Sequence, residues 1–268
     1  MIRGLYTSCS GMLAMEGYLD VVANNLANAN TTGFKRDETI FREFPSMLIA
    51  RLNDNYIKTP YGDIDLKPFV GKLGTGVTID EIYTQFLQGN LYETSNKLDF
   101  AIEGDGFFVV QNKRGEKLYT RDGSFSLNSK GELVDKNGNL VLDQNDNPIV
   151  IEGEDFAVLD DGTIIAGDLT KSTKREIAKI KVVTFPQKRY LQKYGYNYYL
   201  TNPNAGAEIT PGNYKVYQGF LEGSNVQVVK EMVNLITLNR AYSANEKVIR
   251  TEDELTGKAV NNVGTVNA

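Results

Sequence analysis

The chain has 268 residues, with 34 acidic against 29 basic side chains and a formal net charge of −5, so its electrostatics give nucleic-acid binding no support. It has no histidine and one cysteine, Cys9, which excludes a Ser-His-Asp triad, a Cys-His dyad, histidine-based zinc sites and an internal disulfide. No stretch reaches the apolar length that crosses a bilayer; even Leu5 to Leu26 is interrupted by Ser, Gly, Glu, Asp and Asn.

The first element in chain order is a helix from about Leu5 to Asn30. Leu5, Met12, Leu19 and Leu26 recur every seven residues, with Ser8, Met15, Val22 and Ala29 in the companion positions, an a/d seam that a single helix cannot bury. Cys9 falls beside this seam and reads as a small apolar packing residue. Arg3 is followed by a mixed segment that already carries the heptad, so no cleaved signal peptide is expected.

Residues 34–75 read as an extended linker. The run Phe41, Phe44, Met47, Leu48 and Leu52 has the spacing of a short helix, and Thr59-Pro60-Tyr61-Gly62 and Lys67-Pro68 favour extended chain after it. The bland reading is a surface loop, but a loop this long in a compact domain is usually functional or disordered.

Residues 76–220 read as an all-β outer domain. Short apolar runs at Val77, Ile79, Phe107 to Val110, Phe125 to Leu127, Val141 to Leu142, Ile149 to Ile151, Thr163 to Ile165 and Ile180 to Val183 alternate with turn clusters such as Asp122-Gly123 and Asp135-Lys136-Asn137-Gly138. There is no βαβ alternation. Residues 221–268 form a second helix, with Ser224 and Gln227 spaced as a capping box at its start. Val228, Leu235, Tyr242 and Ile249 repeat every seven residues along it, flanked by Met232 and Leu238. The predicted fold is therefore mainly β with long terminal α-helices, residues 1–33 and 221–268 pairing as a coiled-coil-like domain. An ordinary intramolecular helix pair has the same periodicity.

The blocks between these elements carry a resemblance. Ala23-Asn24-Asn25-Leu26-Ala27-Asn28 with Thr32-Gly33-Phe34-Lys35 resembles the N-terminal signature of the bacterial flagellar rod and hook family. Leu98 to Ile102 with Gly104 to Phe108, then Tyr119 to Phe125, then Gln218 to Val226, resemble further blocks in the family order. Physically, the asparagines suit hydrogen bonding across a tight interface and Gly33 suits the left-handed residue after a helix end. Within the family, Leu221 to Val226, Asp253-Glu254 and Gly257-Lys258-Ala259 resemble the proximal rod type; Arg240-Ala241-Tyr242 is shared with the distal type, and the chain is short for a hook subunit. The resemblance implies a subunit of the flagellar basal-body rod that self-assembles with copies of itself and with other rod and hook-family subunits. It also implies export, unprocessed, by the flagellar type III apparatus, and a place in the rod crossing the periplasmic space. Residues 34–75 then correspond to extra contact-making structure. The competing reading is an extracellular adhesion module on an oligomerising helical stalk.

Catalytic and metal patterns are sparse, and no cofactor is expected. Gly71, Gly74 and Gly76 lack the strand-then-helix context of a phosphate loop. Asp160 with Asp161, or Glu152, Glu154 and Asp155, are the acid pairs a glycosidase would need, but they sit beside turn glycines. Asp143, Asn145, Asn147 and Glu154 imitate a calcium loop with Pro148 where glycine is required, which favours a turn. Lys188, Arg189, Tyr190, Lys193, Tyr194, Tyr196, Tyr198 and Tyr199 form an aromatic and basic run, readable as a subunit contact or as tyrosines of the β core.

Overall fold

The computed structural model describes residues 2–51, 56–59, 62–65, 69–151, 156–166, 175–195 and 197–263. The chain divides into two compact units, one of residues 1–24, 37–83 and 229–268, the other of residues 25–36 and 84–228.

In the first unit the N-terminal helix α1 covers Ile2–Ala27, followed by turns over 28–30. Six strands then form nested pairs: β1 (Asp37–Glu43) with β6 (Val77–Thr84), β2 (Met47–Ala50) with β5 (Phe69–Leu73), and β3 (Tyr56–Thr59) with β4 (Gly62–Asp65). Residues 34–75 thus hold most of a long two-stranded ribbon, and Val77 and Ile79 belong to its return strand. The expected short helix is replaced by strand at Phe41 and at Met47 and Leu48, while Leu52 lies outside the described residues. The reason is pairing: Met47 stands opposite Leu73 and Leu48 opposite Lys72, and the Phe44 amide donates to the Gly76 carbonyl at 3.0 Å. A ladder satisfies the backbone where an isolated turn or two of helix does not.

One face of α1 lies on the base of this ribbon. A Cβ at Gly17 would come within 2.5 Å of the Ile79 side chain, and one at Gly76 within 2.3 Å of the Ser10 hydroxyl. Ser10 accepts from the Val77 amide at 3.3 Å, and Tyr18 meets Phe41 edge to face at 5.6 Å. A second face meets the C-terminal helix α2 (Val228–Lys258), which continues as a π-helical segment over Ala259–Val263. A Cβ at Gly4 would fall 2.8 Å from Glu252 Oε1, and one at Gly11 3.1 Å from Asn245 Nδ2. The order of these contacts is reversed along the two chains, so α1 and α2 run in opposite directions here. Glycine in a helix interior costs about 1 kcal/mol relative to alanine; here the missing side chains let neighbouring elements approach.

The second unit is antiparallel β. Its main sheet has the order β11 (Phe125–Leu127), β12 (Leu133–Asp135), β13 (Leu140–Val141), β9 (Phe107–Gln111), β10 (Lys117–Thr120), β19 (Tyr198–Leu200) and β18 (Gln192–Tyr194), with β17 (Val182–Val183) also paired to β9. Smaller ladders join β7 (Leu91–Glu93) to β21 (Phe220–Glu222), β8 (Phe100–Gly104) to β20 (Tyr214–Gln218), and β14 (Phe156–Val158), β15 (Thr163–Ala166) and β16 (Arg175–Lys179) to one another. Ile149 to Ile151 does not form a strand of its own: it joins by isolated bridges, with Ile149 and Ile151 buried. Strand β9 is buried on both faces. Phe108 and Val110 point into one apolar cluster, Phe107 and Val109 into the other, as the two-residue period of a strand requires. The unbroken run Phe-Phe-Val-Val is thereby explained.

Four turns share one construction. The side-chain oxygen of Asn112, Asn128, Asp135 or Asp143 accepts the backbone amides two and four residues on. The Asp143 turn is the one that imitates a calcium loop; its carboxylate Oδ1 is engaged by the Asn145 and Asn147 amides, each at 2.8 Å, and Glu154 lies outside the described residues.

Gly123 sits where β8 crosses the chain, and its carbonyl accepts from the Phe100 amide at 2.9 Å. A Cβ there would stand 1.8 Å from the Phe100 carbonyl oxygen. Gly123→Ala is expected to destabilise the second unit by about 2–3 kcal/mol, a fall in midpoint of roughly 5–10 °C, read by thermal denaturation.

Candidate assembly surface

The residues expected to form the terminal seam are distributed unevenly. Val22 and Leu238 are buried; Met12, Met15, Leu19, Leu26, Leu235, Tyr242 and Ile249 are half-buried; Leu5, Val228 and Met232 are exposed. The line of closest approach to α2 runs through Gly4 and Gly11, one position before Leu5 and Met12. Leu5 therefore falls on the flank of the contact and is 38 % exposed. Cys9 is exposed rather than packed, because it faces away from both the ribbon and α2.

A third face of α1 touches neither neighbour. Tyr6, Cys9, Leu13, Glu16, Asp20 and Ala23 follow the 3-4 spacing of a helix face and are all exposed, Tyr6 at 67 % and Leu13 at 65 %. On α2, Val229, Met232, Val233 and Ile236 form a corresponding open apolar stripe, with Val229 76 % exposed. Apolar side chains in such rows on paired helices, left in water, mark interaction surfaces. The ribbon adds Leu48, Phe69 and Val70, which are also exposed. A two-stranded ribbon is marginally stable by itself.

Capping follows a different rule from the one expected. Ser224 Oγ accepts from the Val226 amide at 3.3 Å, so it closes a local turn and α2 starts only at Val228. Asn225 holds the preceding chain extended: its Oδ1 accepts from the Arg36 amide at 2.7 Å and its Nδ2 donates to the Gln85 and Leu87 carbonyls.

The motif from Asn24 to Lys35 leads into a buried ionic site of the second unit. Asn25 is buried, and Asn28 Oδ1 accepts from the Thr31 hydroxyl. Gly33 has φ +67 and its amide donates to the Glu222 carbonyl at 2.7 Å; a Cβ would meet the Arg121 and Asp122 backbone at 2.5 Å. It is thus six residues past the helix end, serving a backbone crossing and not a helix cap. Phe34 is buried under the Lys193 ammonium, 4.2 Å from its ring centroid. Lys35 is fully buried, its Nζ donating to Glu222 Oε1 at 2.5 Å and to the Leu87 carbonyl at 2.7 Å. Glu222 Oε2 accepts from Arg121 at 3.1 Å, and Oε1 also accepts from the Gly89 amide at 2.9 Å. Arg121 further donates to the Ile102 and Gly104 carbonyls. Burial pushes the Lys35 ammonium below the ordinary lysine range, with Glu222 pulling the other way. Glu222 and Arg121 escaped notice as site residues, although each lies in a block quoted above. The available signal was the one cation of the block from Tyr119 to Phe125 and the one charge of the block from Gln218 to Val226.

The described members of the remaining constellations are engaged in local contacts or in the core, or are exposed. Asp161 Oδ2 accepts from Lys179 at 2.9 Å and from the Thr163 hydroxyl, and the lysine holds its carboxyl below the usual range, unsuited to a general acid. Glu152, Glu154 and Asp155 lie outside the described residues. In the aromatic and basic run, Tyr198 and Tyr199 are core residues, Lys188 pairs with Asp105 at 2.7 Å, and Tyr190 and Tyr194 are exposed; Tyr196 lies outside the described residues.

Three family profiles match the chain in order: Flagella basal body rod protein over residues 5–35, Flagellar hook protein FlgE/F/G D1 domain over 101–166, and Flagellar basal body rod FlgEFG protein C-terminal over 217–262. The flagellar basal-body rod protein FlgG of Borreliella burgdorferi is 35% identical over 97% of this chain and 98% of its own length. FlgG of Bacillus subtilis is 34% identical over 97% and 99%, and the flagellar hook-basal body complex protein FlhO of the same species 31% over 99% and 100%.

Removing one member of the buried ionic site leaves the others unpaired without water. Glu222→Gln is expected to cost about 3–5 kcal/mol in urea denaturation. Adding Lys35→Met to it removes the stranded cation, so the double variant is more stable than the single one.

Proposed function

This chain belongs to the flagellar basal-body rod protein family, and we propose that it acts as a structural, non-catalytic subunit of the bacterial flagellar basal-body rod. The observation that carries the reading is end-to-end similarity to rod proteins together with open apolar stripes on both terminal helices. That combination favours a rod subunit over an adhesion module. Within the rod, the blocks Leu221 to Val226, Asp253-Glu254 and Gly257-Lys258-Ala259 favour the proximal type over the distal one, and the relatives named FlgG and FlhO support a rod subunit of either type.

Assembly rests on the terminal helices. Leu5, Met12, Met15, Leu19, Val22 and Leu26 on α1, and Val228, Met232, Leu235, Leu238, Tyr242 and Ile249 at α2, supply the apolar surface shared between the internal helix pair and neighbouring copies. The ribbon of residues 37–84 adds contacts between subunits. Contacts between unlike faces generate a helical filament where their rotation does not close into a ring. Other rod and hook-family subunits continue it, and the flagellar export apparatus delivers the chain. No helix among the described residues is long and apolar enough to cross a membrane.

The division of the chain sets the experiment. Residues 25–36 are built into the β unit through Gly33, Phe34 and Lys35, so an informative deletion stops at residue 24, and on the other side begins at 229. Deleting 1–24 or 229–268 is expected to abolish swimming and recovery of the chain in basal bodies while the β unit stays folded. Leu19→Asp or Leu235→Asp is expected to do the same by placing a charge in the helix contact. Neutralising Asp143, Asp160 and Asp161 costs about 1 kcal/mol each in turn stability and leaves swimming intact. Loss of swimming on neutralisation, at unchanged thermal stability, would replace the structural reading by a catalytic or cation-dependent one.

A further inference from the structure

The open stripes of α1 and α2 are each divided into an apolar part and a charged part. On α1, Tyr6 and Leu13 precede the acids Glu16 and Asp20. On α2, Val229 and Ile236 precede the cations Arg240 and Lys247, which flank the small residues Ser243 and Ala244 in a shallow groove also lined by Ile236 and Asn239. Among the described residues none of Glu16, Asp20, Arg240 and Lys247 has an ionic partner within the chain, whereas Arg250 is paired with Glu246. Each helix thus presents an unsatisfied charge of opposite sign next to an unsatisfied apolar surface.

We propose that the outward stripe of α1 docks in parallel into the α2 groove of a second copy of this chain, with Asp20 seated between Arg240 and Lys247. The inference rests on the rod-subunit reading and names its interface. Direction and register follow from the two patterns together. A parallel alignment that sets Tyr6 on Val229 also sets Leu13 on Ile236, because both pairs are seven residues apart on their helices. The same alignment brings Asp20 level with Ser243, where the small side chain admits it between the two cations. An antiparallel alignment that keeps Asp20 at Ser243 sets Leu13 against Arg250 and leaves Val229 and Ile236 uncovered. Within one chain α1 and α2 run in opposite directions, in contact through Gly4 with Glu252 and Gly11 with Asn245. The parallel contact therefore requires another copy. It joins unlike faces, each copy offering α1 on one side and α2 on the other, the kind of contact that builds an open helical filament where its rotation does not close.

Cys9, exposed on the same α1 stripe, supplies the probe. In the proposed register it lies level with Met232, which is exposed, and in the antiparallel alternative with Glu254, also exposed. Basal bodies are isolated from strains carrying Met232→Cys or Glu254→Cys and oxidised with copper phenanthroline. The expected result is a ladder of disulfide-linked copies with Met232→Cys, absent with Glu254→Cys and absent when Cys9→Ser is added. A ladder with Glu254→Cys instead, or no ladder from basal bodies that contain the chain, overturns the proposal and leaves the rod reading standing. Absence of the unaltered chain from basal bodies overturns that reading itself. A second measurement does not depend on cysteine. Asp20→Lys is expected to reduce incorporation about tenfold and Asp20→Lys with Lys247→Asp to restore it to at least about half. Failure of the second change to restore incorporation overturns the pairing.

Discussion

A carboxylate removed from water is tolerated only when its oxygens are filled by donors, and Glu222 is filled by three: the Lys35 ammonium, the Arg121 guanidinium and the Gly89 amide. Around this group the rest of the β unit is arranged. Lys35 brings in the segment that follows α1, and Glu222 ends the strand that leads to α2, so the roots of both terminal helices are anchored at one point. Arg121 extends the site to the carbonyls of Ile102 and Gly104, tying it to β8 and its edge. Gly33 and Asn225 then fix the backbone on either side, the first by its left-handed turn against residues 121 and 122, the second by hydrogen bonds to residues 36, 85 and 87.

Such a site does not maximise stability, since a well-packed apolar cluster of the same volume does as well or better. What it supplies is geometry. Charged partners tolerate few alternative arrangements, so residues 33–36 and 220–225 are held together in one way within the β unit. The helices themselves carry less intrinsic order. Gly4, Gly11 and Gly17 weaken α1 as an isolated helix, and each is placed where another element comes close enough to exclude a side chain. The same residues that reduce propensity thus create the packing.

Much of this was legible in the sequence. The heptad rows gave both terminal helices, the apolar runs gave the strands around β9, and the Asn and Asp clusters gave the turns that join them. The ordered blocks from Ala23 to Val226 gave the family. Apolar periodicity located the α1 seam one position away from the true line of contact, because that line is made by Gly4 and Gly11, which register as blanks on any hydrophobicity pattern. The ribbon is hard to see in the sequence for a related reason: Phe41, Met47 and Leu48 are exposed, so they show neither clean alternation nor the bounds of a core strand. Glu222 and Arg121 were invisible as a pair since a charge buried by partners distant along the chain looks, in sequence, like any solvated charge.

The contact between Lys35 and Glu222 spans 187 positions of the chain. Closing a loop of that length costs about 4–5 kcal/mol in chain entropy before any contact is made. Strands β9 and β10, by contrast, pair across a tight hairpin and meet early. The β unit therefore combines local pairings of low entropic cost with one long-range closure that needs residue 222. The carboxylate that Lys35 and Arg121 share thus lies more than four-fifths of the way along the 268 residues, and a chain cut short of residue 222 leaves both cations of the β unit without their acceptor.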